Sequence, residues 1–428
     1  MGYQSIIGVI LFVIIFILIS TEKFNKTILS LLGGALFMVL HFVSQELAFL
    51  SIDWNVIFLL ISMMVIVGIT KKTGLFQYVA IKAAKISRGK PVNIMILLSL
   101  ITALFSAFLD NVTTVMIITP VAILIAVELG ISPIPFVISC AIASNLGGTA
   151  TLIGDPPNIM IGSAANLDFN SFLFNLTPII IIIMIVYSLL IYLFFRKKMR
   201  ISNERKARIM DFDESKSIEN KPLLIKSLTV LSLVIAGFLI HGFLNLEPAT
   251  IALFGAGLLM LLTGEKEVDE FFHDVEWGTI FFFIGLFILV GGLVELGIIK
   301  KVASFVLNLT NGNMKSTSLL VLWISGVFSA FIDNIPYVAT MIPLIKDIGV
   351  HVGPDKIQPL WWSLALGACL GGNGTLIGAS ANVVSAGLAK KNGYKISFWE
   401  FTKYGSIITI ITLAISTIYI YFRYLIRI

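Results

Sequence analysis

The chain alternates long apolar runs with short polar breaks. Runs near residues 4–21, 27–44, 55–70 and 175–195 are each close to the length that crosses a bilayer, which takes about 20 apolar residues in a helix. A further run, 134–165, is interrupted by SNLGGTATLIGDPPN (144–158), and residues 92–130 read as two apolar arms joined at Asp110 and Asn111. The pattern predicts an all-α polytopic membrane protein. Composition agrees: 57% of residues are hydrophobic and 13% charged, with mean hydropathy +0.99, whereas soluble domains carry about 25% charge. Soluble-enzyme classes are disfavoured. The net charge of +6 is no nucleic-acid signal, because the basic residues cluster beside the spans. Cys140 and Cys369 lie in apolar segments and read as buried, inert thiols, not a disulfide framework. The opening stretch MGYQSIIGVILFVIIFILIS lacks a positive n-region and a small-residue cleavage site, and reads as a first span.

An internal repeat organises the chain. Trp54 and Trp277, Asp110 and Asp333, Pro120 and Pro343, and Thr27 and Thr250 are all separated by 223 residues. After one inserted residue, GGTATLIGDPPN (147–158) aligns with GGNGTLIGASAN (371–382) at a separation of 224. Compositional similarity between apolar helices would not keep Trp, Asp, Asn and Pro in one register. The predicted organisation is a first repeat over 1–195 with a hairpin at 92–130, a charged cytoplasmic linker at 196–226, and a second repeat over 227–428 with a hairpin at 316–350.

Each half contains five crossings if the Asp-Asn unit returns to its starting side. An odd number inverts the second half, giving ten spans. With both termini outside, segments 22–26, 71–91 and 196–226 face the cytoplasm and hold 18 of the 30 Lys and Arg residues, as the positive-inside rule requires. In the second half Lys390, Lys391 and Lys395 fall inside, whereas Lys300 and Lys301 fall outside. Segment 71–91 reads as a basic amphipathic helix on the cytoplasmic surface. His41 and His241 are expected at span ends, near the interface.

Inverted repeats point to binding at the midplane, where discontinuous helices meet. FSAFLDNVTTVMIITP (105–120) and FSAFIDNIPYVATMIP (328–343) place Asp110 and Asp333 in hydrocarbon, the first in a turn with no interfacial Lys, Arg, Trp or Tyr. Re-entrant hairpins are expected, and a carboxylate there needs a partner, a proton or a cation. Thr113 and Thr114 add hydroxyls in the first hairpin, and Pro336 occupies the matching place in the second. The interruptions add Asn145, Thr149, Thr151, Asp155 and Asn158 in one half and Asn373, Thr375 and Asn382 in the other, with Ala379 where the first half has Asp155. Asp155 precedes Pro156, so it is either a helix cap or an ion ligand. These motifs contain no Lys or Arg. The inventory suits a cation, a proton or a neutral polyhydroxy solute, with Asp110 and Asp333 as hard-oxygen ligands of sodium if sodium couples transport. No cofactor is expected beyond bound sodium ions.

At SAFLDNVTT, GGTATLIGDPPN, SAFIDNIP and LWWSLALGACLGGNGTLIGASANVV the sequence resembles the ArsB/NhaD permease family of the ion transporter superfamily, closest to its P protein branch. The resemblance covers nearly the whole chain. It implies a fold similar to the sodium–dicarboxylate symporters: an elevator with a scaffold, two re-entrant hairpins and two broken helices. It also implies that Asp110, Asn111, Thr113, Asn145, Thr149, Asp333, Asn334, Asn373, Thr375 and Asn382 bind ions or substrate. The tips Asp-Asn-Val-Thr and Asp-Asn-Ile-Pro depart from the Ser-Asn-Thr tips of dicarboxylate symporters. The resulting expectation is a proton- or sodium-coupled secondary transporter in the cell membrane, working by sodium/proton exchange or proton-coupled arsenite export. The alternatives are a sodium-coupled anion symporter and an uncoupled anion channel. Its partners would be lipid and a small ion or solute, with no nucleic acid, and a homodimer would supply a fixed scaffold. Two cysteines cannot form a three-thiolate arsenic site.

Overall fold

Polar residues between the apolar runs cap helices. The computed structural model describes residues 3–21, 23–197, 199, 201–264 and 268–426; Lys198 and Arg200, which enter the count for the central loop, lie outside them. The helices of the first half are α1 (Tyr3–Ser20), α2 (Lys26–Val39), α3 (Gln45–Leu50), α4 (Trp54–Lys71), α5 (Leu75–Ile86), α6 (Pro91–Ser106), α7 (Asn111–Glu128), α8 (Ile134–Gly148), α9 (Pro156–Ala165), α10 (Phe169–Asn175) and α11 (Thr177–Phe195). After a short α12 (Asn203–Met210) come α13 (Lys221–Leu244), α14 (Pro248–Thr263), α15 (Val268–Phe272), α16 (Trp277–Glu295), α17 (Ile298–Leu309), α18 (Met314–Ser329), α19 (Asn334–Val352), α20 (Gln358–Gly371), α21 (Ser380–Lys391) and α22 (Phe398–Ile420). Nine of the described helices are long and apolar enough to cross a membrane. α1 has a mean hydropathy of 2.6 yet is only 17% buried, and α11 exposes Ile181, Ile185 and Leu189. Such surfaces are stable only against lipid.

Asn25, Asp53 and Asn220 each accept backbone N–H groups in the first turns of α2, α4 and α13, as expected for N-caps. The second span stops at Val39, short of the expected residue 44. His41 adopts φ 54°, and Phe42 N–H closes on Phe37 O at 2.9 Å with the two rings edge to face. This is a left-handed C-terminal cap with its apolar contact. The pattern concealed it because Phe42 and Val43 prolong the apolar run. His41 is exposed. His241, expected at the interface, is instead buried, accepting from Phe169 N–H through Nε2 and meeting Leu246 O through Nδ1.

Two pairings frame the molecule. α2 lies along α16 in parallel: Thr27 Oγ1 donates to Gly278 O at 2.7 Å, Gly34 faces Gly285 and Ile288, and Phe37 covers Gly292. α4 lies along α14, and ion pairs Lys71–Asp274 (3.8 Å) and Lys72–Glu270 (3.1 Å) join the end of α4 to the connection before α16. α6 and α7 form one hairpin, α18 and α19 another; α6 packs on α8 and α18 on α20. The second arms cross over, α7 onto α21 and α19 onto α9.

The charged stretch after α11 is docked onto the chain. Arg205 donates to the carbonyls of Leu129 (3.3 Å) and Gly130 (2.7 Å), Ile209 is buried, and Lys85 bonds both Glu214 (2.6 Å) and Phe212 O. The Lys85 hydrogen bond holds the Glu214 carboxyl below its ordinary value of 4.5. A lowered carboxylate value means that this contact is fully present above the ordinary value and is lost as pH falls through the lowered one. Limited proteolysis within 203–217 should therefore be slow at neutral pH and accelerate only in acid below the ordinary glutamate range, and Lys85→Ala should remove that pH step.

Candidate functional site

Two helix breaks and two hairpin tips meet inside the bundle. α8 unwinds after Gly148 and restarts at Pro156; α20 unwinds after Gly371 and restarts at Ser380. Glycine is required there because each break nests against a hairpin arm. A Cβ on Gly147 would stand 2.1 Å from Ala103 O, and one on Gly371 2.5 Å from Gly326 O. Backbone cannot yield as a side chain can. Gly147→Ala should destabilise the protein by about 1–3 kcal/mol, read as a lower midpoint of thermal unfolding in detergent. Gly387→Ala, where a Cβ meets nothing within 4 Å, should leave the midpoint unchanged.

Repeated threonines tie the breaks to the tips: Thr151 Oγ1 donates to Ala107 O and Thr375 Oγ1 to Ala330 O. Thr149 Oγ1 donates to Asn145 O within its own helix. Repeated asparagines satisfy the unwound carbonyls. Asn158 Nδ2 donates to Gly148, Thr149 and Thr151 oxygens at 2.9–3.4 Å, and Asn382 Nδ2 to Gly372 O (2.9 Å) and Thr375 O (3.1 Å). Buried carbonyls need such donors.

Asn145 links the halves. Its Oδ1 accepts from Asn111 Nδ2 at 3.2 Å. Its Nδ2 donates to Asn373 Oδ1 (2.9 Å) and Asn382 Oδ1 (3.0 Å). Because Asn145 donates to both, the groups facing it must be carbonyl oxygens. Asn373 Nδ2 therefore points elsewhere, and it is buried without a hydrogen-bond partner. On the other side of the repeat, Cys369 stands 224 residues after Asn145 and contacts Asn158 Oδ1 at 3.6 Å. The repeat register could have singled Cys369 out; its chemistry did not.

The acids fall into two neighbourhoods. Asp110 begins α7, its Oδ1 accepting Thr113 N–H at 2.8 Å, and its neighbour Asn111 reaches Asn145. Asp333 begins α19, its Oδ1 accepting Ile335 N–H at 3.1 Å, and lies near Asp155. Asp155 precedes α9 but makes no side-chain cap; it accepts Asn334 Nδ2 at 3.2 and 3.4 Å. Among the described residues, no three His, Cys, Asp or Glu side chains gather as ligands of one metal ion. A hard cation here would take one carboxylate and complete its shell with carbonyl, amide and hydroxyl oxygens.

One expectation needs correction. The motifs contain no cation, but the site does. Lys26, the first residue of α2, places Nζ 2.9 Å from Asp333 Oδ2 and 2.7 Å from Ser380 Oγ. Sequence reading assigned Lys26 to a loop because its partner is 307 residues away. Glu276, which precedes Trp277 in the repeat, was also missed.

Apolar helices long enough to cross a membrane, with paired breaks and hairpin tips around a buried polar centre, make this a multi-span membrane protein, and the family it matches is one of transporters, not enzymes. The chain belongs to the citrate transporter family CitMHS of the ion transporter superfamily, whose family model matches residues 16–367. It is 45% identical over 426 residues to an uncharacterized transporter of Mycobacterium tuberculosis (strain H37Rv), covering 98% of this chain and 99% of that protein. It is 32% identical over 501 residues to the P protein of Sus scrofa, covering 97% of this chain and 59% of the relative, in line with the resemblance read from the motifs. The fold is similar to that of the Alcanivorax borkumensis YdaH transporter, with TM-score 0.60 at 12% identity over 99% of both chains.

Proposed function

We propose that the protein is a cation-coupled secondary transporter, driven by protons or sodium through elevator-like alternating access. Sodium/proton exchange and proton-coupled arsenite export are its leading activities. The observation that carries this reading is the pair of hairpin-tip carboxylates, Asp110 and Asp333, set around an asparagine network that joins both halves inside the bundle. Carboxylates at such depth are expensive unless they load protons or cations. We assign ion or substrate contact to these tips and to the breaks carrying Asn145, Asp155, Asn158, Asn373, Thr375 and Asn382.

Inverted repeats support alternating access. α2 runs parallel to α16, and α14 and α16, as successive crossings joined through α15, would run in opposite directions. α14 then opposes α2, its counterpart in the repeat. With α2 and α16, and α4 and α14, as the scaffold, the hairpins and broken helices would move together. Thiol reagents that do not cross the membrane should label Lys71→Cys and Lys300→Cys from opposite faces, against a silent background since Cys140 and Cys369 are buried. Labelling of both from one face overturns the inversion.

A second reading, a sodium-coupled anion symporter, is favoured by Lys26 and by the family's description as citrate transporters. Proteoliposomes holding a trapped pH dye separate the two. Under an imposed proton gradient, sodium chloride or arsenite should evoke proton movement. Citrate-evoked sodium uptake without proton movement favours the symporter, and currents far above turnover rates favour a channel.

A further inference from the structure

We infer that Lys26 is a tethered counter-cation, holding the Asp333 position when no coupling ion is bound and moving to Glu276 when one arrives. The inference rests on the cation-coupled reading above and adds the device that makes exchange obligatory.

Asp333 Oδ2 receives two donors, Lys26 Nζ at 2.9 Å and Ser380 Oγ at 2.6 Å, while its Oδ1 serves the start of α19. An ion seeking that carboxylate must displace the ammonium. A cavity of about 250 Å³, bordered by Lys26, Asp333, Ser380, Phe24, Val383 and Val384, adjoins the bridge and leaves room for a displaced ammonium or an entering ion. The ammonium also has somewhere to go. It lies 5.1 Å from the centroid of the Phe282 ring, and the next residue, Thr27, bonds Gly278 O at 2.7 Å, two residues beyond Glu276. Glu276 Oε2 accepts from Thr279 Oγ1 at 2.9 Å, but its Oε1 is buried with no hydrogen-bond partner. An unpaired buried carboxylate oxygen is costly, and a displaced Lys26 would satisfy it. The other acids of the tips and breaks are Asp110, which caps α7, and Asp155, which accepts from Asn334 next to Asp333.

Two consequences follow from where these residues stand. Lys26 belongs to α2, packed on α16, whereas Asp333 and Ser380 belong to a hairpin tip and a broken helix. The bridge therefore ties the empty binding elements to the frame, and loading unties them. The repeat is also asymmetric here: the position 223 residues after Lys26 is Ala249, so Asp110 has no equivalent lysine and only one carboxylate is guarded.

The test measures radioactive sodium binding to the purified protein, proton uptake on acidification, and sodium efflux from proteoliposomes. Lys26→Met removes the competitor and should tighten sodium binding by about tenfold, or raise the pH of half-maximal proton uptake by about one unit if protons load the site. Efflux into sodium-free medium, small in the wild type relative to exchange, should rise severalfold. Lys26→Cys should behave like Lys26→Met until an aminoethyl thiosulfonate restores the ammonium and wild-type affinity; a neutral methyl reagent should not. Binding that Asp333→Asn abolishes but Lys26→Met leaves unchanged or weakens overturns the inference and leaves cation coupling standing. Absence of sodium binding and of proton uptake in every variant, wild type included, overturns both.

Discussion

Asp110→Asn and Asp333→Asn should each lower ion-coupled transport by at least about a hundredfold, equivalent to about 2.7 kcal/mol, while the chain stays folded. Both aspartates begin a hairpin arm and accept a backbone N–H through Oδ1. Asparagine caps helices as well as aspartate does, so the substitution keeps the cap and removes only the charge. Neither variant should lose much stability. Asp110→Asn should unfold within a few degrees of the wild type. Asp333→Asn also deprives Lys26 of its carboxylate, but the lysine side chain is 34% exposed, so solvent limits the loss to about 1 kcal/mol. Coupled flux in proteoliposomes and thermal unfolding in detergent check both statements. Wild-type coupled flux in either variant would make that carboxylate a cap and nothing more.

Asn145→Ala should abolish transport and destabilise the protein by about 2–4 kcal/mol. Asn145 is fully buried and holds three side-chain hydrogen bonds, one from Asn111 and two to Asn373 and Asn382. Its removal strands a donor at one hairpin tip and two carbonyl oxygens at the opposite break, and no water-filled space compensates a buried polar group for free. Cys369→Ala, at the matching place in the repeat, loses only weak sulfur contacts, with Asn158 and Asp155, and should lose less than about 1 kcal/mol. If the two variants unfold at the same temperature, the network does not join the halves energetically. Chemical denaturation is a poor substitute for thermal unfolding here, since a membrane protein retains helices in detergent.

How far the sequence reaches can be judged residue by residue. The helix breaks were legible because Gly147 and Gly148 weaken a helix at its end and Pro156 and Pro157 cannot continue one, whatever surrounds them. The hairpin turns were legible because the repeat placed Asp110-Asn111 and Asp333-Asn334 in one register. The arms end a few residues earlier than expected, at Ser106 and Ser329, because the aspartates cap the returning arms instead of sitting in the tip of a two-residue turn. Asp155 remained open between cap and ligand in the sequence, since both roles place an acid before proline. Its contact with Asn334, 179 residues away, depends on the crossing of α19 onto α9.

The sequence alone determined that this chain lives in lipid, that its two halves repeat motifs in one register, and which oxygens and amides lie in the turns and breaks between apolar helices. Those properties follow from hydropathy, register and backbone chemistry, all of which act over a few residues. Tertiary structure alone decided which of those groups touch. Asn145 meets Asn382 across 237 residues of chain, and Lys26 reaches Asp333 across 307. A side chain's charge is written in the sequence, but its partner is set by how the helices cross, and it is the partner that brings the lysine at the start of α2 to the proposed ion site.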